Sequence, residues 1–183
     1  METQKLNVRF SVLAGMILLA ALSRLLPHPP NFTPIAAMAL FGGAYFMNKK
    51  WSFGVPIMAM IISDLGLVWI MNYEFFIVMR VVIYGCFILI TLIGFLLRGR
   101  VKIINVVLAS LAGSILFFII TNFAVWAGGH GNFYPISMSG LIQCYATAIP
   151  FFRNTLLGDL VYVGVLFGAF EMAKYRFPVL SKA

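Results

Sequence analysis

Long apolar runs separated by short polar segments make up most of the chain, and their spacing predicts helices that cross a membrane. About 20 consecutive apolar residues cross a bilayer as an α-helix. On this scale the sequence predicts six spans, at about 8–26, 34–47, 51–71, 75–97, 103–127 and 152–172. The second run is short for a span, so it is either a half-buried helix or one extended by its flanks. Between the last two spans we expect an outer segment, 128–150, with a Gly-rich break, an interfacial helical stretch and a boundary at Pro150.

The polar segment 23–34 lies between the first two runs and is dense in proline. Proline lacks an N–H and disfavours helical geometry in the residue before it, so this segment does not continue a helix. It also carries Arg24, His28, Asn31 and Thr33. A rigid loop with these side chains predicts the first wall of a binding site.

Composition supports an integral membrane protein. Hydrophobic residues make up 62% of the 183 residues and charged residues only 10%, with a mean hydropathy of +1.01, whereas soluble domains carry about 25% charged residues. The sequence therefore predicts a single all-α domain over 1–183, a six-transmembrane-helix bundle in contact with the lipid bilayer. The formal net charge of +8 does not indicate a nucleic-acid partner, because the lysines and arginines lie between apolar runs and form no stripe.

The positions of the positive residues predict the orientation of the bundle. With six spans and the N-terminus inside, all but three of the 13 lysines and arginines fall in inner segments, the exceptions being Arg24, Arg80 and Arg153. Positive residues concentrate on the cytoplasmic side of membrane proteins. A five-span arrangement would put the C-terminal cluster outside. We therefore predict that both termini are inside.

Polar residues within the predicted spans share the outer half of the membrane, and such residues normally face a cavity or pair with one another. They predict an outward-facing pocket, which Tyr134 of segment 128–135 would help to line. The set comprises Arg24, Asp64, Arg80, Tyr84, Asn122, Trp126, Tyr134, Arg153, Asn154 and Asp159. Alternatively, Asp64 with Arg80, or Asp159 with Arg153 or Arg24, are structural ion pairs, and the aromatic residues form an interfacial belt.

Several kinds of chemistry find no support in the sequence. There is no phosphate-binding G-x-x-x-x-G-K-[ST] motif. The only histidines are His28 and His130, and no zinc-binding spacing occurs. We therefore predict that the protein is not an enzyme and has no intrinsic cofactor. Cys86 is either a small core residue or a soft thiolate ligand to a metal centre presented by a ligand in the pocket.

Three stretches carry a resemblance to a known family. These are SRLLPHPPNFTPIAAMALFGGA at 23–44, SDL at 63–65 and PFFRNTLLGD at 150–159. The chain resembles small bacterial membrane proteins that are similar to the substrate-binding (S) components of energy-coupling factor transporters, above all the solitary cobalamin-binding S component. The resemblance implies a multi-pass protein of the bacterial cytoplasmic (inner) membrane with an outward-facing vitamin site. It also implies a transmembrane coupling subunit with ATPases as partner, although the Ala-x-x-x-Ala face of helix one is replaced here by Ser11 and Gly15.

In the cobalamin-binding member a cysteine ligates the cobalt, with a histidine and an acid nearby, and the resemblance implies Cys86, His28 and Asp64 as counterparts. We therefore predict a binding component for uptake of a vitamin-sized solute, with cobalamin or another corrinoid as the transported ligand. Two alternatives remain. One is a self-sufficient small-solute transporter, and the other is a structural or assembly membrane protein without a ligand.

Overall fold

The computed structural model describes residues 2–71, 77–129 and 131–181, and in these ranges the chain consists of helices and short connections, with no strand. The predicted all-α class is confirmed. Two 3₁₀ turns, Ser23–Leu25 and Pro178–Leu180, follow the first and last helices. The six helices are α1 (Glu2–Leu22), α2 (Ile35–Tyr45), α3 (Lys49–Met71), α4 (Ile77–Phe95), α5 (Ile103–Gly128) and α6 (Met138–Arg176).

Five of the helices, all except α2, are long and apolar enough to cross a membrane. Their outer faces carry large apolar side chains that no other part of the described chain covers, such as Trp69 at 84% exposed and Ile103 at 87% exposed. Helices satisfy their own backbone hydrogen bonds and can present such faces to lipid. The architecture is therefore that of a multi-pass membrane protein.

Helix α2 is short and lies inside the bundle. All of its 11 residues are buried, and at about 1.5 Å per residue it extends only about 16 Å, roughly half of a bilayer core. It packs backbone to backbone against α4, because a Cβ atom on Gly94 would lie 2.6 Å from the Leu40 carbonyl oxygen, and a Cβ on Gly43 would meet the Gly94 backbone. The second apolar run is therefore a short, fully buried helix and is not extended by its flanks into a span.

The two ends of the bundle are defined by the contacts of α2. Its C-terminal end meets the start of α1 and the end of α6: Arg9 donates from Nη2 to the Tyr45 carbonyl at 3.2 Å, and the Tyr45 hydroxyl donates to Glu171. We call this the basal end. The opposite, distal end carries the proline loop, residues 26–34. Both ends of the chain therefore lie on the basal side, as expected for six alternating segments.

Helix α6 differs from the prediction at Pro150. We expected an interfacial segment to end there and a separate span to begin, but Met138–Arg176 is one continuous helix of 39 residues with Pro150 inside it. Pro56 likewise lies inside α3. A proline removes one backbone hydrogen bond, and membrane helices tolerate this loss because neighbouring groups satisfy the freed carbonyl. The segment 136–149 thus extends α6 towards the distal end.

Candidate functional site

A cavity of about 510 Å³ lies at the distal side of α2, in the space that this short helix leaves open. Its volume is within the range of about 300–1,000 Å³ that is usual for small-molecule sites. The wall combines the proline loop with parts of every helix from α2 to α6. The lining residues are Arg24, Leu26, Pro27, His28, Pro30, Asn31, Thr33, Ile35, Ala36, Leu67, Met79, Arg80, Ile83, Phe117, Thr155 and Asp159.

A buried cluster of charges forms one side of this distal cavity. Asp64 Oδ1 accepts from Arg24 Nη2 at 2.8 Å and from Arg80 Nη1 at 2.7 Å, and Asp64 Oδ2 accepts from the Tyr84 hydroxyl at 2.8 Å. Asp64 is only 1% exposed, behind the two arginines. The predicted pairing of Asp64 with Arg80 is therefore present, but Arg24 shares the same carboxylate.

The charge cluster leaves one donor unused. Two arginines, Arg24 and Arg80, share the Asp64 carboxylate. Arg24 also donates from Nη1 to the Ser63 hydroxyl, but its Nε is buried and has no hydrogen-bond partner among the described residues. An unpaired buried N–H is costly. This side of the cavity is therefore suited to an acceptor such as a carbonyl or a carboxylate.

The proline loop is fixed over the cavity by contacts with its own backbone and with α6. Phe32 donates its N–H to the Pro29 carbonyl at 3.1 Å, in a turn where Asn31 has a φ of 63°. Asn154 donates from Nδ2 to the Pro30 carbonyl at 3.0 Å. A Cβ on Gly158 would lie 3.1 Å from both the Phe32 Cα and the Thr33 nitrogen. A side chain at 158 would therefore require the loop backbone to move by a few tenths of an ångström.

Asp159 lies on the opposite side of the cavity and has neutral partners. It is 2% exposed. Its Oδ2 accepts from the Ser114 hydroxyl at 2.6 Å, and the backbone N–H of Ala36 is a further hydrogen-bond partner. Neither of the ion pairs considered for Asp159 is found among the described residues: Arg24 is bound to Asp64, and Arg153 is exposed.

Comparison with known proteins adds one relationship. A family described as a family of unknown function, DUF6580, matches residues 4–180, nearly the whole chain. The chain belongs to this family. No curated protein and no solved structure matches it. The function of this DUF6580 member is therefore inferred from the geometry of its own residues.

The predicted pocket residues of the DUF6580 chain fall into three groups. Arg24, His28, Asn31, Thr33, Arg80 and Asp159 line the distal cavity. Asp64, Tyr84 and Asn154 hold lining elements in place without lining the cavity themselves. Asn122, Trp126, Tyr134, Arg153 and Cys86 are not part of the lining.

Two residues of that last group, Trp126 and Tyr134, hold the connection between α5 and α6 instead. Trp126 donates from Nε1 to the Pro135 carbonyl at 3.0 Å, and the Tyr134 hydroxyl is 2.8 Å from the Thr147 hydroxyl. Asn122 donates to the Phe118 carbonyl of its own helix. His130 lies outside the described residues.

The cysteines of this DUF6580 member are buried free thiols. Cys86 is 1% exposed and Cys144 is 2% exposed. Cys144 donates to the Asn122 carbonyl at 3.4 Å. Because Cys86 lies in α4 away from the cavity lining, its ligation of a metal centre stays a prediction. Within the described ranges, no group of three or more His, Cys, Asp or Glu side chains is placed to hold a metal ion.

Sequence reasoning missed the partners that the charged groups use. Ser63 and Ser114 are both fully buried and bind Arg24 and Asp159 respectively. Ser63 directly precedes Asp64, and Ser114 is one of several small residues on α5. A serine within an apolar helix is the only signal for either role, and it is equally typical of close helix packing.

Proposed function

We propose that this protein is a membrane-embedded substrate-binding component that takes a vitamin-sized solute into the distal cavity. The observation that supports this most directly is the cavity wall formed by Arg24 and Arg80, in which the buried Arg24 Nε lacks a hydrogen-bond partner among the described residues. A ligand acceptor would complete the hydrogen bonding.

The distribution of positive residues supports an orientation with the distal end outside. Lys49 and Lys50 begin α3, Arg98 and Arg100 follow α4, and Lys174 lies near the end of α6, all on the basal side. Because cytoplasmic segments are enriched in Lys and Arg, we place the basal end in the cytoplasm of a bacterial cell. The distal cavity then opens to the outside of the inner membrane, where a solute is captured.

The cavity offers polar contacts at its edge and apolar contacts at its base. His28, Asn31 and Thr33 of the proline loop cover one side, while Met79 and Phe117 supply apolar wall. This mixture is typical of sites for organic ligands. Tight binding of a solute needs both, because apolar burial supplies affinity and a few placed polar groups supply orientation.

A corrinoid is the ligand that the resemblance to cobalamin-binding S components favours. Its peripheral amide side chains present carbonyl oxygens, which are acceptors for the two arginines. A complete corrinoid is larger than a drug-sized ligand, so a cavity of about 510 Å³ would enclose part of it, with the proline loop over the remainder. Release into the cell would require either an ATP-driven coupling partner or a tilt of the whole bundle.

The test is an absorbance spectrum of protein purified from cells grown with cobalamin. We expect a co-purifying corrinoid band that is weakened by His28→Ala in the cavity wall and retained by Gln143→Ala, an exposed position at the distal end of α6. Colourless wild-type protein would refute the corrinoid assignment. Cobalt ligation by Cys86 is tested separately: an unchanged spectrum of bound cobalamin in Cys86→Ser would remove that role.

A further inference from the structure

A second cavity, of about 560 Å³, lies at the basal end of the bundle and is separate from the distal cavity. It is enclosed by the start of α1, the end of α2, the connection between α4 and α5, and the end of α6. Its charged lining residues are Arg9, Arg98, Glu171 and Lys174. Three positive groups therefore face one carboxylate.

The single carboxylate of this basal cavity is already occupied. Lys174 Nζ donates to both oxygens of Glu171 at 2.9 Å, and the Tyr45 hydroxyl donates to the same carboxylate. Among the described residues neither Arg9 nor Arg98 forms an ion pair with it. Within the described chain, neither of these two arginines therefore has an ion-pair partner, although the charge of Glu171 is near Arg9.

Arg98 is satisfied by neutral acceptors. It donates from Nε to the Gly43 carbonyl at 2.9 Å and from Nη2 to the Phe46 carbonyl at 2.8 Å and the Ser52 hydroxyl at 3.0 Å. These bonds close the end of α2, and burial lowers the pKa of Arg98. Arg98 thus positions the α2 terminus and contributes positive charge to the cavity.

Arg9 is different, because most of its hydrogen-bonding capacity is unused. It is 9% exposed and donates from Nη2 to the Tyr45 carbonyl at 3.2 Å. Its Nε and Nη1 are buried and have no hydrogen-bond partner in the described part of the chain. A guanidinium presents its N–H groups as a planar fork that matches two oxygens of one anion. A desolvated fork without an acceptor is unfavourable.

We propose that the basal cavity binds a phosphate group, with Arg9 as its principal contact. Phosphate oxygens would accept from the unused N–H groups of Arg9, and the charges of Arg98 and Lys174 would favour the anion. The same chemistry is available from the headgroup of an anionic phospholipid and from a free phosphate in solution. This site is independent of the ligand bound in the distal cavity.

The experiment compares these two sources with purified protein in a non-ionic detergent. Melting is followed with a thiol-reactive dye, since both cysteines are buried in the folded chain. One arm titrates inorganic phosphate against sodium chloride at matched ionic strength. The other arm adds phosphatidylglycerol against an uncharged diacylglycerol. Stabilisation by phosphate assigns a free anion, and stabilisation by phosphatidylglycerol alone assigns a lipid headgroup. Both outcomes support the proposal.

Two variants separate a specific site from general attraction to positive charge. Arg9→Gln is expected to weaken the apparent affinity at least about tenfold, or about 1.4 kcal/mol, and Arg9→Lys to weaken it less. Lys102→Gln removes an exposed charge near the same end and should leave the affinity unchanged. The proposal is overturned if neither additive stabilises the wild type more than its control. This comparison uses only the wild type, so it tests the proposal even where Arg9→Gln fails to fold. Equal weakening by the Arg9 and Lys102 variants would also overturn it.

Discussion

Replacing Asp64 by Asn tests whether the distal charge cluster holds the bundle together. The carboxylate accepts three hydrogen bonds, from Arg24 at 2.8 Å, Arg80 at 2.7 Å and Tyr84 at 2.8 Å. Asn keeps the shape but removes the negative charge that both buried arginines contact. Removing one partner of a buried ion pair costs about 3–5 kcal/mol. We expect the upper part of this range, because one aspartate serves two arginines.

The assay is thermal unfolding in detergent, reported by dye labelling of Cys86 and Cys144 as they become exposed. For a chain of this size about 1 kcal/mol lowers the Tm by about 2–4 °C, so a loss of about 4–5 kcal/mol in Asp64→Asn should lower it by about 8–20 °C. The control is Tyr84→Phe, which removes one donor to the carboxylate and leaves both ion pairs, at a cost of about 1.5–3 kcal/mol. If Asp64→Asn costs no more than Tyr84→Phe, the two arginines do not depend on this carboxylate and the reasoning is wrong.

Three further substitutions test the packing around the distal cavity. Gly43→Leu places a side chain in the backbone contact between α2 and α4 and should destabilise the protein by about 1–3 kcal/mol or more, whereas Gly85→Leu meets open space and should have little effect. Gly158→Val should push the proline loop from α6 and speed amide hydrogen exchange in the loop, while Gly164→Val should not. Ser114→Ala removes a hydrogen bond to the buried aspartate of α6 and should lower stability by about 1–3 kcal/mol in the melting assay.

Each of these expectations has a contradicting result. Equal Tm values for the Gly43 and Gly85 variants would show that α2 does not pack against α4 through Gly43. Unchanged exchange in the Gly158 variant would show that the loop does not depend on that close approach. A Ser114 variant as stable as the wild type would mean that the buried aspartate does not need the serine hydroxyl.

The helices were predictable from hydropathy, but the detailed packing was not. Apolar runs indicated where each helix lies, although α6 begins at Met138 and not near 152. The short run at 34–47 was counted among six spans, but α2 is too short to be one of the five helices that could cross a membrane. The break expected at Pro150 is absent because a long membrane helix tolerates one missing backbone bond. The contact between Gly43 and Gly94 was missed, because small residues occur on several helices and the sequence does not show which pair meets.

The sequence predicted the depth of the site in the membrane but not the direction in which each side chain faces. Polar residues in the outer halves of the spans indicated the level of the distal cavity, and three of them, Arg24, Arg80 and Asp159, line it. Trp126 and Tyr134 share that level but join α5 to α6, because depth along a helix does not determine which way a side chain faces. The basal cavity was not predicted, since Arg9 and its neighbours were interpreted only as a signal of orientation.

The most direct measurement of the central claim is a melting scan of the protein against a panel of vitamin-sized solutes that includes cobalamin. A ligand at 100 times its Kd adds about 2.7 kcal/mol, which corresponds to a rise in Tm of about 5–11 °C. Thr155→Trp, which fills the cavity wall, should abolish the rise, and Leu157→Trp, at an exposed position of the same helix, should retain it. A wild type that no solute stabilises, or a rise that survives Thr155→Trp, would contradict a binding site in the distal cavity.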